Sequence, residues 1–203
     1  MRGLLVFVYS FATRLKLDNN NLETINEVKL LGTIVTSDLK WTKNTDYLVK
    51  KANARMQLLV KAASFSPPLN DLKIIYISFV RSLLEQCCVV WNSSLTEENI
   101  NDLERVQKSA MKIIFDTKYK GYENSLKTLD MDTLANRRSK LCLEFAKKCV
   151  KNENLQHKFP LNDKSHTMRT RKPEKYKVTH AKKEKYKKSA KIQMQMMLNR
   201  DEQ

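Results

Sequence analysis

Between Phe11 and Val35 polar and apolar residues alternate: "TRLKL" steps in and out, "DNNN" supplies turn residues, and "EVKLLGTIV" gathers branched aliphatics around Gly32. A period of two with that punctuation predicts a β-hairpin. Two strands are marginal alone in water, so the apolar face of this hairpin needs helices or further strands against it.

From Thr42 the period becomes helical. Leu48, Ala52, Met56, Leu59 and Ala63 step by three or four along one side, while Lys43, Lys50, Lys51, Arg55 and Lys61 occupy the other faces. Ser66-Pro67-Pro68 ends this helix. A second helix is predicted from about Asn70 to Trp91. Its Leu72, Ile75, Ile77, Phe79, Val80, Leu83, Leu84 and Cys87 are apolar nearly all round, which makes it the most buried element. A third helix opens at "NSSLTEEN", where Ser94 or Thr96 precedes Glu97 and Glu98 as an N-cap before first-turn acids. It carries Ile100, Leu103, Val106, Ala110 and Ile114 inward and Arg105, Lys108 and Lys112 outward. A fourth follows Thr133, with Leu134, Leu141, Phe145 and Cys149 inward and Arg137, Lys140, Lys147 and Lys148 outward. Beyond about Asn152 the periodicity fades into a polar stretch containing Pro160 and Pro173 that reads as extended or disordered. A last helix is predicted near the end, carrying Ile192, Met196 and Met197.

The fold class expected is mainly α: an N-terminal β-hairpin (1–40), a helical bundle (41–151) and a basic tail with a possible last helix (152–203). The length of 203 residues and 41% hydrophobic content permit one sizeable core, and only 3 Gly and 4 Pro argue for long helices.

Charge adds a partner class. The chain has formal net charge +16, and such an excess favours polyanions. Residues 164–191 hold 12 Lys or Arg against two acids, so they supply +10 of it. The four cysteines have no metal or redox spacing, which suits buried thiols in an intracellular chain, nuclear or cytoplasmic. No stretch reaches the length of a membrane span, and none is expected to enter one.

Candidate chemistry is sparse. A Gly-rich phosphate loop, H-E-x-x-H and G-x-S-x-G are all missing from the sequence. His157, His166 and His180 lie in the polar tail and match no zinc spacing. Glu97 with Glu98, and Asp130 with Asp132, read as capping and turn residues. No catalytic, metal or cofactor residue is therefore assigned. Arg81 and Glu85, four apart in an apolar run, read as an ion pair, with a backbone contact by Arg81 to nucleic acid as the alternative.

"EVKLLGTIVTSDLKWTKNTDYLVKKANARMQLL" followed by "LKIIYISFVRSLLEQCCVVWNSSLTEENINDLERVQKSAMKII" closely resembles the C-terminal, thumb and post-thumb part of the reverse transcriptase of non-LTR retrotransposons. The groups concerned are the LINE elements of jockey and chicken-repeat type. The likeness continues through "LCLEFAKKCVKNENLQHKFP" and "MRTRKPEKYKV" to "SAKIQMQMMLN", covering roughly residues 11 to 200. By this resemblance Leu31 and Gly32 map to the primer grip. Lys50, Lys51, Arg55, Arg105, Lys108 and Lys112 would face template-primer or element RNA. The family's aromatic-x-Asp-Asp motif is absent, so the resemblance implies a truncated element copy, or a host gene made from one, without the catalytic palm, and not an enzyme.

Three functions follow as expectations. One is a nucleic-acid-binding remnant that contacts phosphates with little sequence preference. Its tail cations would be Arg169, Arg171, Lys172, Lys182, Lys183, Lys185, Lys187 and Lys188, with Tyr119, Tyr122, Tyr176 and Tyr186 stacking on bases or simply packing. The second is a helical protein-interaction or self-association module using an exposed apolar hairpin. The third is a retroelement fragment without selected function.

Overall fold

The structure is a computed structural model that describes residues 16–17, 20–21, 25–162 and 174–201. Two short antiparallel ribbons open it. β1 (Lys16–Leu17) pairs with β2 (Asn20–Asn21), and β3 (Glu27–Leu30) pairs with β4 (Thr33–Thr36) in the register Leu30 opposite Thr33 and Glu27 opposite Thr36. The hairpin thus closes within "EVKLLGTIVT" itself, at Leu31–Gly32, and "TRLKL" is not its second strand. The reason is local. Leu31 (φ 47°) and Gly32 (φ 83°) both take positive φ, as a two-residue hairpin turn of type I′ requires.

α1 (Thr42–Ala63) buries Leu48, Ala52, Met56 and Leu59, as its stripe predicts. The hairpin is tied to its start, since Asn44 Oδ1 accepts the Ile34 N–H at 3.0 Å.

The expected continuous helix over 70–91 is broken into pieces: α2 (Leu69–Ile75), a π-helical segment Tyr76–Arg81, α3 (Ser82–Leu84) and α4 (Cys88–Trp91). The path bends by 42° between Leu69–Leu84 and Cys88–Ser94. Cys87 sits left-handed at φ 52° in the break, and the indole of Trp91 donates to the freed Gln86 carbonyl at 3.0 Å. Leu72, Tyr76, Val80, Leu83 and Leu84 are buried, but Phe79 and Cys87, expected inside, are exposed.

α5 (Glu97–Phe115) begins at Thr96, whose hydroxyl accepts the Asn99 N–H at 3.2 Å. It lies beside α1 and runs the same way. Thr42 and Asn99 approach to 3.5 Å at their starts, and Val60, Ala63, Ile113 and Phe115 line one cavity at their ends. α6 (Tyr122–Thr128) follows, then α7 (Leu134–Lys151), capped by the Thr133 hydroxyl. Phe145 of α7, expected inward, is exposed; Leu134, Arg138, Cys142, Ala146 and Cys149 form the buried face.

A polar network crosses this core. The Tyr76 hydroxyl donates to Gln107 Oε1 at 2.8 Å, and Gln107 Nε2 donates to the Tyr122 hydroxyl at 2.8 Å and to the Asp132 carbonyl at 3.0 Å. The Tyr122 hydroxyl in turn donates to Glu104. Glu104 also accepts the first N–H groups of α7, from Leu134 at 3.2 Å and Ala135 at 3.3 Å, so a half-buried carboxylate meets a helix N-terminus.

The tail folds back. A second cluster joins Ala146 and Cys149 to Phe159, Tyr176, Met194 and Leu198. α8 (Glu184–Lys187) and α9 (Ala190–Asp201) are present, and α9 buries Ile192, Met194 and Leu198 while Met196 and Met197 are half-buried. Polar side chains hold the extended approach: Asn199 accepts the Tyr176 N–H at 2.8 Å and donates to its carbonyl at 2.9 Å, and Gln195 Oε1 accepts the Thr179 N–H at 2.8 Å. Of the stretch expected to be extended or disordered, Leu161 and Tyr176 meet in an antiparallel bridge, and residues 163–173 lie outside the described residues. No single helix among the described residues is long and apolar enough to cross a membrane.

Candidate nucleic-acid interface

Along α1, Tyr47, Lys51, Arg55 and Leu58 follow one another at helical spacing and share a face. β3 brings a further cation to the same face. Lys29 Nζ lies 4.7 Å and Lys51 Nζ 5.0 Å from the centre of the Tyr47 ring. Hydrogen bonding to Lys29 and then to Lys51 pulls the Tyr47 phenol below its ordinary pKa. Arg55 Nη1 donates to the Phe79 carbonyl at 3.1 Å, so the π-helical segment fixes that guanidinium. Among the described residues no carboxylate pairs with Lys29, Lys51 or Arg55, which leaves their charge for a polyanion.

The hairpin turn is held near the break in the α2–α4 path. Gln86 Nε2 donates to the Leu31 carbonyl at 3.1 Å, and a Cβ on Gly32 would sit 2.5 Å from that nitrogen. Glycine is needed there for both its φ and its lack of a side chain. Leu31 is 85% exposed, and Leu30, Leu58 and Phe79 are exposed as well.

The other expected contacts are distributed. Lys50 is exposed but about 100° round α1 from Lys51. On α5, Arg105 pairs with Asp102 at 2.9 Å, Lys108 Nζ lies 5.4 Å from the Tyr122 ring centre, and Lys112 is exposed. Among the described residues no hydrogen bond, ion pair or ring contact joins this α5 group to Lys51 and Arg55. In the tail Lys182, Lys183, Lys185, Lys187 and Lys188 are exposed; Lys187 pairs with Glu184 and Lys185 Nζ donates to the Asp38 carbonyl. Arg169, Arg171 and Lys172 lie outside the described residues. Of the tyrosines named for stacking, Tyr176 is buried in the second cluster, Tyr122 belongs to the polar network, Tyr119 packs half-buried on the main core, and Tyr186 is exposed. Sequence reasoning passed over Lys29 and Tyr47. The signal for Tyr47 was its i,i+4 spacing to Lys51; Lys29 joins through hairpin docking.

Arg81 and Glu85 form the expected ion pair, 3.1 Å apart without the linear geometry of a hydrogen bond, and largely shielded from solvent. Arg137 shares Glu85 at 3.3 Å, so the pair bridges the break to α7. Among the described residues no group of three or more His, Cys, Asp or Glu is placed to hold a metal ion.

The fold and site thus define a mainly helical protein with an N-terminal antiparallel hairpin and a cationic, aromatic strip at its junction with the first long helix. Comparison with protein families, with curated protein sequences and with solved structures finds no match to this chain.

Proposed function

We propose that this chain is a non-catalytic nucleic-acid-binding remnant of the thumb and post-thumb part of a non-LTR retrotransposon reverse transcriptase, an RNA-directed DNA polymerase. One observation carries the binding reading: Lys29 and Lys51 lie over the Tyr47 ring, Arg55 follows one turn beyond Lys51 on α1, and among the described residues no acid pairs with any of the three. Cations beside an aromatic face suit phosphates flanking an unpaired base. The tail lysines and those of α5 extend the attraction without sequence preference.

Fluorescence anisotropy with labelled single-stranded RNA and duplex DNA across a salt series tests this. Binding should fall steeply with salt, and Lys29→Glu with Lys51→Glu should weaken it about tenfold or more at low salt and reduce the salt slope by roughly two. Absence of binding at low salt defeats the proposal. The exposure of Leu30, Leu31, Leu58 and Phe79 beside the strip favours a second reading, a protein-interaction or self-association module. That reading requires association that persists in high salt and is lost in Leu31→Asn with Phe79→Ser.

A further inference from the structure

Away from the strip, the β4–α1 connection, the start of α5 and the folded tail enclose a cavity of about 390 Å³, within the size range of small-molecule sites. The connection contributes Leu39 and Trp41 to its lining, and the first turns of α1 and α5 contribute Thr42 and Asn99. Asn99 is only 2% exposed, yet its side chain makes one long contact, Oδ1 accepting from Thr42 Oγ1 at 3.5 Å, and among the described residues no hydrogen bond engages its Nδ2. A buried amide with open donors beside an indole suits the polar edge of a flat heteroaromatic ring.

The mouth is cationic. Lys40, Lys185 and Lys188 line the cavity, and Lys188 forms no ion pair among the described residues. Two acids also line it, but both are engaged. Glu184 pairs with Lys187, and Asp38 accepts from the Thr36 hydroxyl at 2.6 Å and the Lys40 N–H at 3.0 Å, with Lys40 Nζ at 3.9 Å. The third wall exists because the tail docks: the hydroxyls of Ser93 and Ser94 both donate to the Lys188 carbonyl at 2.8 Å.

We propose that this cavity binds a nucleoside phosphate, with the base against Leu39 and Trp41, its edge at Asn99, and the phosphate at Lys188. An apolar wall would waste a bare phosphate, and a cationic mouth would waste an uncharged ring, so the joint chemistry selects the ligand. The same group arrives free as a mononucleotide or as an unpaired nucleotide within a single strand. The second source rests on the nucleic-acid reading above; the first does not.

Tryptophan fluorescence of the full chain reads the site, because Trp41 lines it whereas Trp91 is fully buried elsewhere. Titration with AMP should quench the emission saturably, and ribose 5-phosphate, which lacks the base, should not. Lys188→Ala, at an exposed position, should weaken AMP binding by about 3- to 10-fold, and Trp41→Phe should remove the quenching. A single-stranded oligo(dA) that quenches where AMP does not assigns the site to strand-borne nucleotides, and quenching by both assigns it to either source; each supports the proposal. Failure of both probes to quench saturably overturns it, as does AMP quenching of equal amplitude in Trp41→Phe. The two readings separate cleanly. Oligo(dA) that binds by anisotropy without quenching, with AMP silent, defeats the cavity and spares the strip. AMP that binds with normal affinity while no oligonucleotide binds at all spares the cavity and defeats the strip.

Discussion

Replacing Gly32 with alanine strikes the hairpin turn through two independent terms. The first is backbone: Gly32 sits at φ 83°, and an L-residue in the left-handed region costs about 1–2 kcal/mol. The second is contact. The new Cβ would lie 2.5 Å from Gln86 Nε2, the end of a flexible side chain that can move only by releasing the Leu31 carbonyl, now bonded at 3.1 Å. That hydrogen bond contributes roughly 1 kcal/mol. Gly32→Ala should therefore cost about 2–3 kcal/mol. Gln86→Ala alone should cost about 1 kcal/mol, and the double variant about the same as Gly32→Ala, because the contact term is already gone. Urea unfolding with a shared m-value measures the three changes, and exchange of the hairpin amides detects loss confined to the turn. A Gly32→Ala cost that is unchanged in the Gln86→Ala background would show that Gln86 does not hold the turn. A cost below about 0.5 kcal/mol by both measurements would refute the backbone argument too.

Three further outcomes are expected. Burial, then the hydrogen bond to Glu104, raises the Tyr122 phenol well above its ordinary value, and burial does the same for Tyr76. Their stabilising contribution is complete below the unfolded tyrosine pKa of about 10 and is lost as pH rises toward the folded values, so stability should fall above that pH, and less steeply in Tyr122→Phe. Asn199→Ala removes two hydrogen bonds to the Tyr176 backbone at a buried position, so it should cost about 2–3 kcal/mol and speed exchange of the Tyr176 amide. An aromatic disulfide reagent should label one thiol quickly, the exposed Cys87, and reach Cys88, Cys142 and Cys149 only on unfolding; rapid labelling of two or more would contradict the packing of α4 on α7.

The sequence by itself determined the features that act within a turn or two. Thr96 and Thr133 cap α5 and α7 because a hydroxyl needs to reach only three residues ahead. The stripe of Leu48, Ala52, Met56 and Leu59 fixes the buried side of α1. Sequence also showed Lys51 and Arg55 outside that stripe. It did not show their neighbours, since Lys29 joins them only when the hairpin docks and the Phe79 carbonyl meets Arg55 only across the π-helical segment. Tertiary structure decided the rest. An apolar run over 70–91 reads as continuous helix by periodicity, yet Gln86 leaves the helix to bond Leu31 through its side chain and Trp91 through its carbonyl. Arg138 occurs in a pattern that exposes most cations, yet it is fully buried, with Nε donating to Asn92 at 2.9 Å and its guanidinium 5.9 Å from the Trp91 ring centre. The tail has little periodicity because Gln195 and Asn199 hold its extended approach through side-chain amides, and such bonds leave no period in the sequence. Local propensity sets where helices start and which side is apolar; contacts between residues far apart in the chain decide where a helix must break and which polar groups the interior accepts.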